Sequence, residues 1–379
     1  MTAQGEGAPP PAAGQHVALV IGGCGFVGFH IVGHLLADPS YSAVHILDRA
    51  ITRNLHDGSN VSYTRGHIGD VDFLRALVHE VRPSVVFHTA SPPASLPYHR
   101  FGEFAETNIE GTRNVIRVAE EAECVRTLVY TSSIDVYADA PHLGVSEDAR
   151  LWPEWDHSNE YCRTKKVGEA LVIGANGPKL RTATMRLGHV YGERMTQGLE
   201  VPLELCAKKN PLLVQIGDGK NLMEVASVDN CAAAHLLAAE ALLGLGADTP
   251  VEEGDHQIDG EAFNISDGAP VSFWLHQRLI WAFALGRDAD SLVKDIIIIP
   301  AWVMIVLVTV VDWFLWIFTL NIVKPPIELR RMTLVYCIGD VTFSIEKARK
   351  RLNFKPVVNH DAVLEKGVRW AMAQRQQKP

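Results

Sequence analysis

Two side chains four residues apart, the Tyr161 phenol and the Lys165 ammonium, are the first candidates for chemistry in this sequence. On a helix that spacing places both on one face. A phenol with its ordinary pKa of about 10 is a poor base at neutral pH, and a neighbouring ammonium favours the phenolate. Two hydroxyls, Ser132 and Ser133, close the apolar run just upstream. With eight tyrosines in the chain, a Y-x-x-x-K can also arise as a chance surface pair. What singles this one out is its place behind the two serines.

A second constellation lies near the start. Gly23-Cys-Gly25-Phe26-Val27-Gly28 is a G-x-G-x-x-G preceded by Gly22, directly after an apolar run and before a helical one. Glycines there allow a tight turn and close backbone approach, leaving a pyrophosphate at the helix N-terminus. Asp48 lies twenty residues beyond Gly28, where a carboxylate accepts hydrogen bonds from an adenosine ribose. The competing reading is a glycine-rich turn and a surface carboxylate. Asp48 favours NAD because its charge repels a 2′-phosphate. Arg49 beside it would accept that phosphate, so NADP stays the alternative.

These residues need a frame. Apolar runs over 16–21, 43–47, 61–65, 84–88, 127–131 and 180–186 predict strands, and helical spacing predicts helices over 26–36, 71–81, 105–123 and 159–174. That alternation implies an α/β fold, a Rossmann-like doubly wound parallel sheet covered on both faces. The expected organisation is a disordered tail over 1–15, an NAD-binding domain over 16–186 and a smaller substrate-binding region over 187–379. The latter holds a helix over 232–245, a charged loop over 246–260, a strand over 262–266 and basic helical patterns over 344–352 and 361–373. It also contains 296–320, twenty-five residues whose one charge is Asp312.

Composition sets outer bounds. With 379 residues, 47% hydrophobic, and a net charge of −9, the chain is neither disordered nor a small disulfide scaffold. It has no basic excess for a nucleic acid. The average hides an asymmetry: from 324 onward 12 Lys and Arg face 5 Asp and Glu, whereas the preceding residues carry 23 against 39. A basic end beside an apolar segment suggests an anionic membrane surface, with a solvated basic helix as the plain alternative. The six cysteines have no C-x-x-C pairing, which suits a reducing, cytosol-facing setting. The first residues lack the pattern of a signal peptide. The triplets at Asn60 and Asn264 read as chance glycosylation matches. His88, His189 and His235 read as structural or loop residues, and no cluster has metal-ligand spacing.

From residue 16 to the C-terminus the chain resembles the extended short-chain dehydrogenase/reductases of the 3β-hydroxysteroid dehydrogenase kind. The elements that carry this are IGGCGFVG (21–28), Asp48, GHIGD (66–70), FHTAS (87–91), ETNIEGTRN (106–114), YTSSIDVY (130–137), YCRTK (161–165) and RLGHVYG (186–192). The resemblance implies that Tyr161 is the catalytic base and that Lys165 lowers its pKa and holds the nicotinamide ribose. Ser133, rather than Ser132, would orient the substrate oxygen, and Asn108 would steady a helix and a proton-relay water. Gly22, Gly23, Gly25, Phe26, Val27, Gly28 and Asp48 would bind the cofactor, with Asp70 by the adenine and Ala90 near its centre. Ile21 and Leu187 depart from the family's usual Thr and Pro, and Leu187 puts the loop toward the substrate in question.

The 296–320 run, with Trp302, Trp313 and Trp316, is long enough to span a bilayer. However, a single span would separate the C-terminal element from the catalytic body. Pro300 and Asp312 suit a broken or shallow helix, so monotopic attachment is expected. DGEAFNISDGAPVSFW (259–274) and IGDGKNL (216–222) are similar to fungal-type sterol-4α-carboxylate 3-dehydrogenases, which oxidise and decarboxylate in sterol C4-demethylation. That resemblance implies a sterol or triterpenoid substrate and an endoplasmic reticulum membrane with the catalytic domain toward the cytosol. It also implies neighbouring demethylation enzymes, and leaves a homodimer open. The rivals are a 3β-hydroxysteroid dehydrogenase without decarboxylation, a fungal secondary-metabolite triterpenoid dehydrogenase, a nucleotide-sugar epimerase and a non-catalytic NAD-binding membrane scaffold.

Overall fold

The computed structural model describes residues 15–94, 102–138, 141–245, 254, 256–320, 323, 325–326 and 329–376. The expected tail lies outside them, Gln15 excepted. Seven strands form one sheet: β1 (His16–Ile21), β2 (Tyr41–Asp48), β3 (Val61–Arg65), β4 (Val85–His88), β5 (Thr127–Ser133), β6 (Arg181–Leu187) and β7 (Glu261–Ile265). Their order is β7-β6-β5-β4-β1-β2-β3, and every pairing is parallel. A parallel sheet needs cover on both faces, and β1 shows how the sequence meets that need. Ala18 and Val20 enter one core with helix α1 (Phe26–Ala37), while Leu19 and Ile21 enter the other with helix α2 (Val71–Val81).

Helix α3 is assembled from Glu103–Ala105, a π-helical turn Glu106–Gly111 and Thr112–Glu121. π turns inside α-helices recur at functional sites, and this one carries Asn108. Helix α4 (Glu160–Gly174) begins where the Asn159 side chain caps the amides of Tyr161 and Cys162 at 3.1 and 3.3 Å. Its Gly168 lets α4 approach closely, since a Cβ there would meet the Asn108 carbonyl oxygen and lie 2.8 Å from the Tyr130 hydroxyl.

The strongest tie between α4 and the sheet is ionic. Arg186 of β6 and Glu169 of α4 are both buried and pair at 2.7 Å. Arg186 also donates to the Tyr137 hydroxyl at 2.8 Å and the Glu147 carbonyl at 3.1 Å. Beyond residue 186 the chain returns to the sheet, adding helix α5 (Val228–Gly244) to the α1 face and β7 to its edge. Asn264 lies fully buried in β7, where no glycan can reach it.

Downstream, helices α6 (Phe273–Leu285) and α10 (His360–Gln376) pack on each other. The 296–320 run does not form one apolar helix. Ile296–Ile299 is a strand paired in parallel with Leu213–Ile216, Pro300 is the N-cap, and helix α7 spans Ala301–Thr319 without a break at Asp312. Four β-branched isoleucines favour the strand, and Pro300 separates it from the helix. Helix α8 (Arg331–Ile338), which no sequence pattern singled out, packs on α7.

The basic C-terminal stretch also differs from expectation. Lys347 and Arg351 pair with Glu261 of β7, Lys366 with Glu193, and Arg349 with Glu346 of its own helix α9 (Glu346–Arg351). Lys347, Arg351 and Lys366 thus neutralise carboxylates of the acidic body.

Removing one partner of a buried pair strands the other charge, at a cost of about 3–5 kcal/mol. Glu169→Ala should therefore lower stability by about that amount, read as a drop in the urea unfolding midpoint. A loss below about 1 kcal/mol would show that the pair does not hold α4.

Candidate active site

The glycine turn lies at the carboxyl end of β1, next to β4, where strand order reverses and open α/β sheets form their binding crevice. Gly22 has φ +85°, a conformation that disfavours a side chain, and a Cβ there would lie 2.7 Å from Thr89 Oγ1 and 2.8 Å from the Ala90 amide. The turn thus touches Ala90. A Cβ on Gly23 would meet Ile46 at 2.7 Å, and one on Gly28 would collide with the Gly22 carbonyl oxygen. The Gly25 amide closes the turn on that same oxygen at 2.9 Å. Phe26 and Val27 open α1, Phe26 against the core shared by α6 and α10 and Val27 against the main core. Gly25, as N-cap, offers no side chain and the first turn has no carboxylate, so the positive end of α1 stays available to an anion.

Asp48 closes this turn rather than only flanking it. One oxygen accepts from the Cys24 amide at 3.0 Å, the other from the Ala50 amide at 3.2 Å. Arg49 pairs with Glu103 at 3.3 Å. Asp70 is exposed and caps α2, accepting from the Phe73 amide at 3.0 Å.

Across the crevice, α4 brings Tyr161 and Lys165 to the carboxyl end of β5. Lys165 is 2% exposed and donates to the Thr131 carbonyl at 2.8 Å, with the Tyr130 ring 4.9 Å away. Burial drives its pKa down to about 7, against a partial restoring pull from Glu169. The half-buried Tyr161 phenol is pushed above its ordinary range, first by desolvation and then by the Asp135 carboxylate, while the Ser133 hydroxyl draws it back. Phe104 of α3 stands edge-on to its ring at 5.8 Å. Ser133 is therefore the serine beside the phenol, and Ser132 turns its hydroxyl into a buried site without a hydrogen-bond partner. Asn108 is fully buried and donates to Thr164 Oγ1 at 3.1 Å, tying the π turn to α4.

His88 is buried against Thr112 at 3.0 Å with its pKa lowered to about 3 by desolvation. His235 bridges Thr131 and the Cys231 carbonyl, both at 2.8 Å, with its pKa lowered to about 4 for the same reason. Sequence reasoning missed Asp135, Tyr336 and Glu169. Glu169 had a signal, continuing the i, i+4 row of Tyr161 and Lys165. Asp135 and Tyr336 had none, because they meet across 201 residues.

The sheet order, the glycine turn and the Tyr–Lys helix define a Rossmann-type short-chain dehydrogenase/reductase architecture. The 3-beta hydroxysteroid dehydrogenase/isomerase family matches residues 19–294, and the chain belongs to that family. A relative from Bos taurus, sterol-4-alpha-carboxylate 3-dehydrogenase, decarboxylating, is 32% identical over 359 residues, covering 92% of this chain and 91% of its own. The Schizosaccharomyces pombe protein of that name is 29% identical over 360 residues, covering 94% and 96%. Among solved structures, Thermotoga maritima UDP-glucose 4-epimerase superposes with a TM-score of 0.67 at 20% identity, covering 95% of this chain and 99% of its own. The dTDP-glucose 4,6-dehydratase of Bacillus anthracis, solved with NAD, gives 0.67 at 17%, covering 96% and 98%. At such identity the two structures share the fold.

A lysine whose folded pKa falls from its ordinary 10.5 to about 7 binds fewer protons than it does in the unfolded chain between those values. Stability contributed by this site therefore rises with pH across that window and is lowest below it. Relative to Lys165→Met, the wild-type protein should gain stability from pH 7 to pH 9, measured by urea midpoints. Parallel curves for the two proteins would contradict the desolvated position of Lys165.

Proposed function

We propose that the protein is an NAD-dependent dehydrogenase that oxidises the 3β-hydroxyl of a 4α-carboxysterol, or a related triterpenoid, with loss of the C4 carboxylate as CO2. The observation that carries this reading is the Tyr161–Ser133–Lys165 cluster facing the glycine turn, in a chain aligned over 92% of its length with a decarboxylating sterol dehydrogenase. Gly22 to Gly28 would hold the diphosphate of NAD, Asp48 its adenosine ribose, Ala90 its central part and Lys165 the nicotinamide ribose. NAD, when bound, supplies the hydride acceptor and a positive charge beside the phenol. Tyr161 takes the hydroxyl proton, and Lys165 holds the resulting phenolate by its charge. Ser133 fixes the substrate oxygen against Tyr161.

The new ketone is β to the carboxylate, so CO2 can leave while the electron pair of the broken C4–carboxylate bond stays on the sterol, delocalised onto the C3 oxygen as an enolate that is then protonated at C4. Ser133 and Tyr161 would steady that oxyanion. No separate decarboxylation catalyst is required.

Attachment to a membrane is supported by α7, whose mean hydropathy is 2.2 with only 6% of the span buried. Trp302, Trp313 and Phe318 are 68%, 62% and 69% exposed, an apolar face that lipid would cover. Ile297 and Ile298 continue that face, flanked by exposed Lys208, Lys209 and Lys294, a pattern suited to anionic headgroups. The chain returns along α8, and Gly217 lies within 3.7 Å of both Ala301 and Ile338, as judged from a Cβ built on it. That return supports monotopic seating. The endoplasmic reticulum, with the catalytic body in the cytosol beside the other C4-demethylation enzymes, is the setting we propose.

The purified protein with NAD and a 4α-carboxysterol should yield a 4-demethylated 3-ketone, and Tyr161→Phe should cut turnover by about 10²–10⁴-fold. A 3-ketone that retains its carboxylate would favour the dehydrogenase without decarboxylation. Turnover undiminished in Tyr161→Phe would remove the mechanism.

The full chain should float with anionic liposomes, and Trp313→Glu with Trp316→Glu should release it. Intact protein that stays in the soluble fraction without detergent would contradict membrane attachment.

A further inference from the structure

Asp135 stands where three segments meet. One of its carboxylate oxygens accepts from the Ser133 hydroxyl at 3.1 Å, and the other accepts from the Tyr336 phenol at 2.8 Å. The Asp135 amide in turn donates to Ser133 Oγ at 3.2 Å. Tyr336 comes from α8, the helix packed on the apolar α7. Its ring lies against a small core that includes Ile134, Val136 and Phe343. The backbone around it is pinned to the body: Asn221 donates to the Tyr336 carbonyl at 2.9 Å, and the Trp274 indole donates to the Cys337 carbonyl at 2.8 Å.

We propose that Tyr336 is a positioning residue for the reaction, holding Asp135 so that Ser133 is fixed beside Tyr161, and that the apolar hairpin formed by the packed helices α7 and α8 thereby completes the catalytic site. This rests on the dehydrogenase reading above. The titratable groups facing Asp135 are Tyr161 and Cys162 from α4, His189 from the strand His189–Tyr191, and Tyr336 from α8. Facing Tyr161 are Asp135, Cys162, Tyr130 and Tyr336 itself.

A carboxylate beside a phenol opposes the phenolate, and each hydrogen bond donated to the carboxylate spreads its charge. Without the Tyr336 hydroxyl, Asp135 would present a fuller negative charge to Tyr161 and a firmer hold on the Ser133 proton. Ionising Tyr161 would then require higher pH. An asparagine at 135 carries no charge, so it should shift the ionisation in the opposite direction and make the Tyr336 hydroxyl irrelevant.

The test uses the full-length protein in detergent with NAD and a 4α-carboxysterol, comparing wild type, Tyr336→Phe, Asp135→Asn and the double variant. Tyr336→Phe should lower kcat about tenfold at pH 7 with KM little changed, and should move the ascending limb of the pH–rate profile up by about one unit. Asp135→Asn should move that limb down, and the double variant should match Asp135→Asn. Alkaline absorbance titration without NAD or sterol, each background compared with its own Tyr161→Phe counterpart, should shift the Tyr161 ionisation in the same directions.

A Tyr336→Phe protein that melts like wild type and keeps the wild-type profile overturns the proposal. If Tyr336→Phe does not fold, Asp135→Asn decides, and an unmoved limb overturns it. A wild-type protein that forms no NADH from the carboxysterol would instead sink the dehydrogenase reading, and the absorbance titration would still report whether Tyr336 and Asp135 act on Tyr161.

Discussion

A guanidinium and a carboxylate buried together, Arg186 and Glu169, set the position of everything at this site. They lock α4 to β6, and α4 presents Tyr161, Lys165 and Glu169 in one row at four-residue intervals. With that row fixed, the Lys165 amine falls on the Thr131 carbonyl of β5, and the Tyr161 phenol falls beside Ser133. Desolvating two charges is costly, and the pair is viable because Tyr137 and the Glu147 carbonyl take up the remaining guanidinium donors.

The same burial shapes the chemistry. Lys165 is desolvated toward neutrality and Tyr161 away from ionisation, so the protein alone holds both groups in their less reactive forms. On the proposed reading, a nicotinamide cation bound at the crevice would favour the phenolate. The glycine turn lies across that crevice, its helix end left free of carboxylates while Asp48 secures the Cys24 amide. Cofactor binding and base activation would then be one electrostatic event. The apolar hairpin joins the site from another direction, since α8 packs on α7 and carries a phenol to Asp135.

What the sequence revealed is what short-range spacing can encode. Alternating strands and helices predicted the parallel sheet, and the turn around Gly22 to Gly28 is local by nature. The Tyr161–Lys165 pair is likewise a single helix turn. Contacts decided by distant segments were not legible: Asp135 with Tyr336, and the role of Arg186 beyond its motif. Composition does not show which charges are neutralised internally, as Lys347, Arg351 and Lys366 are by carboxylates of the body. Nor could hydropathy separate the strand Ile296–Ile299 from α7, since both are apolar and only Pro300 and the pairing with Leu213–Ile216 divide them. Asp70 shows a further limit, because a carboxylate before a helix is an N-cap whatever else it contacts.

The central claim is that oxidation at C3, with Tyr161 as base, creates the electron sink that releases CO2. It is tested most directly with a 4α-carboxysterol bearing deuterium at C3. The account predicts one deuterium delivered to NADH for each CO2 released, and no CO2 without NAD. Release of CO2 without transfer of the label would contradict it.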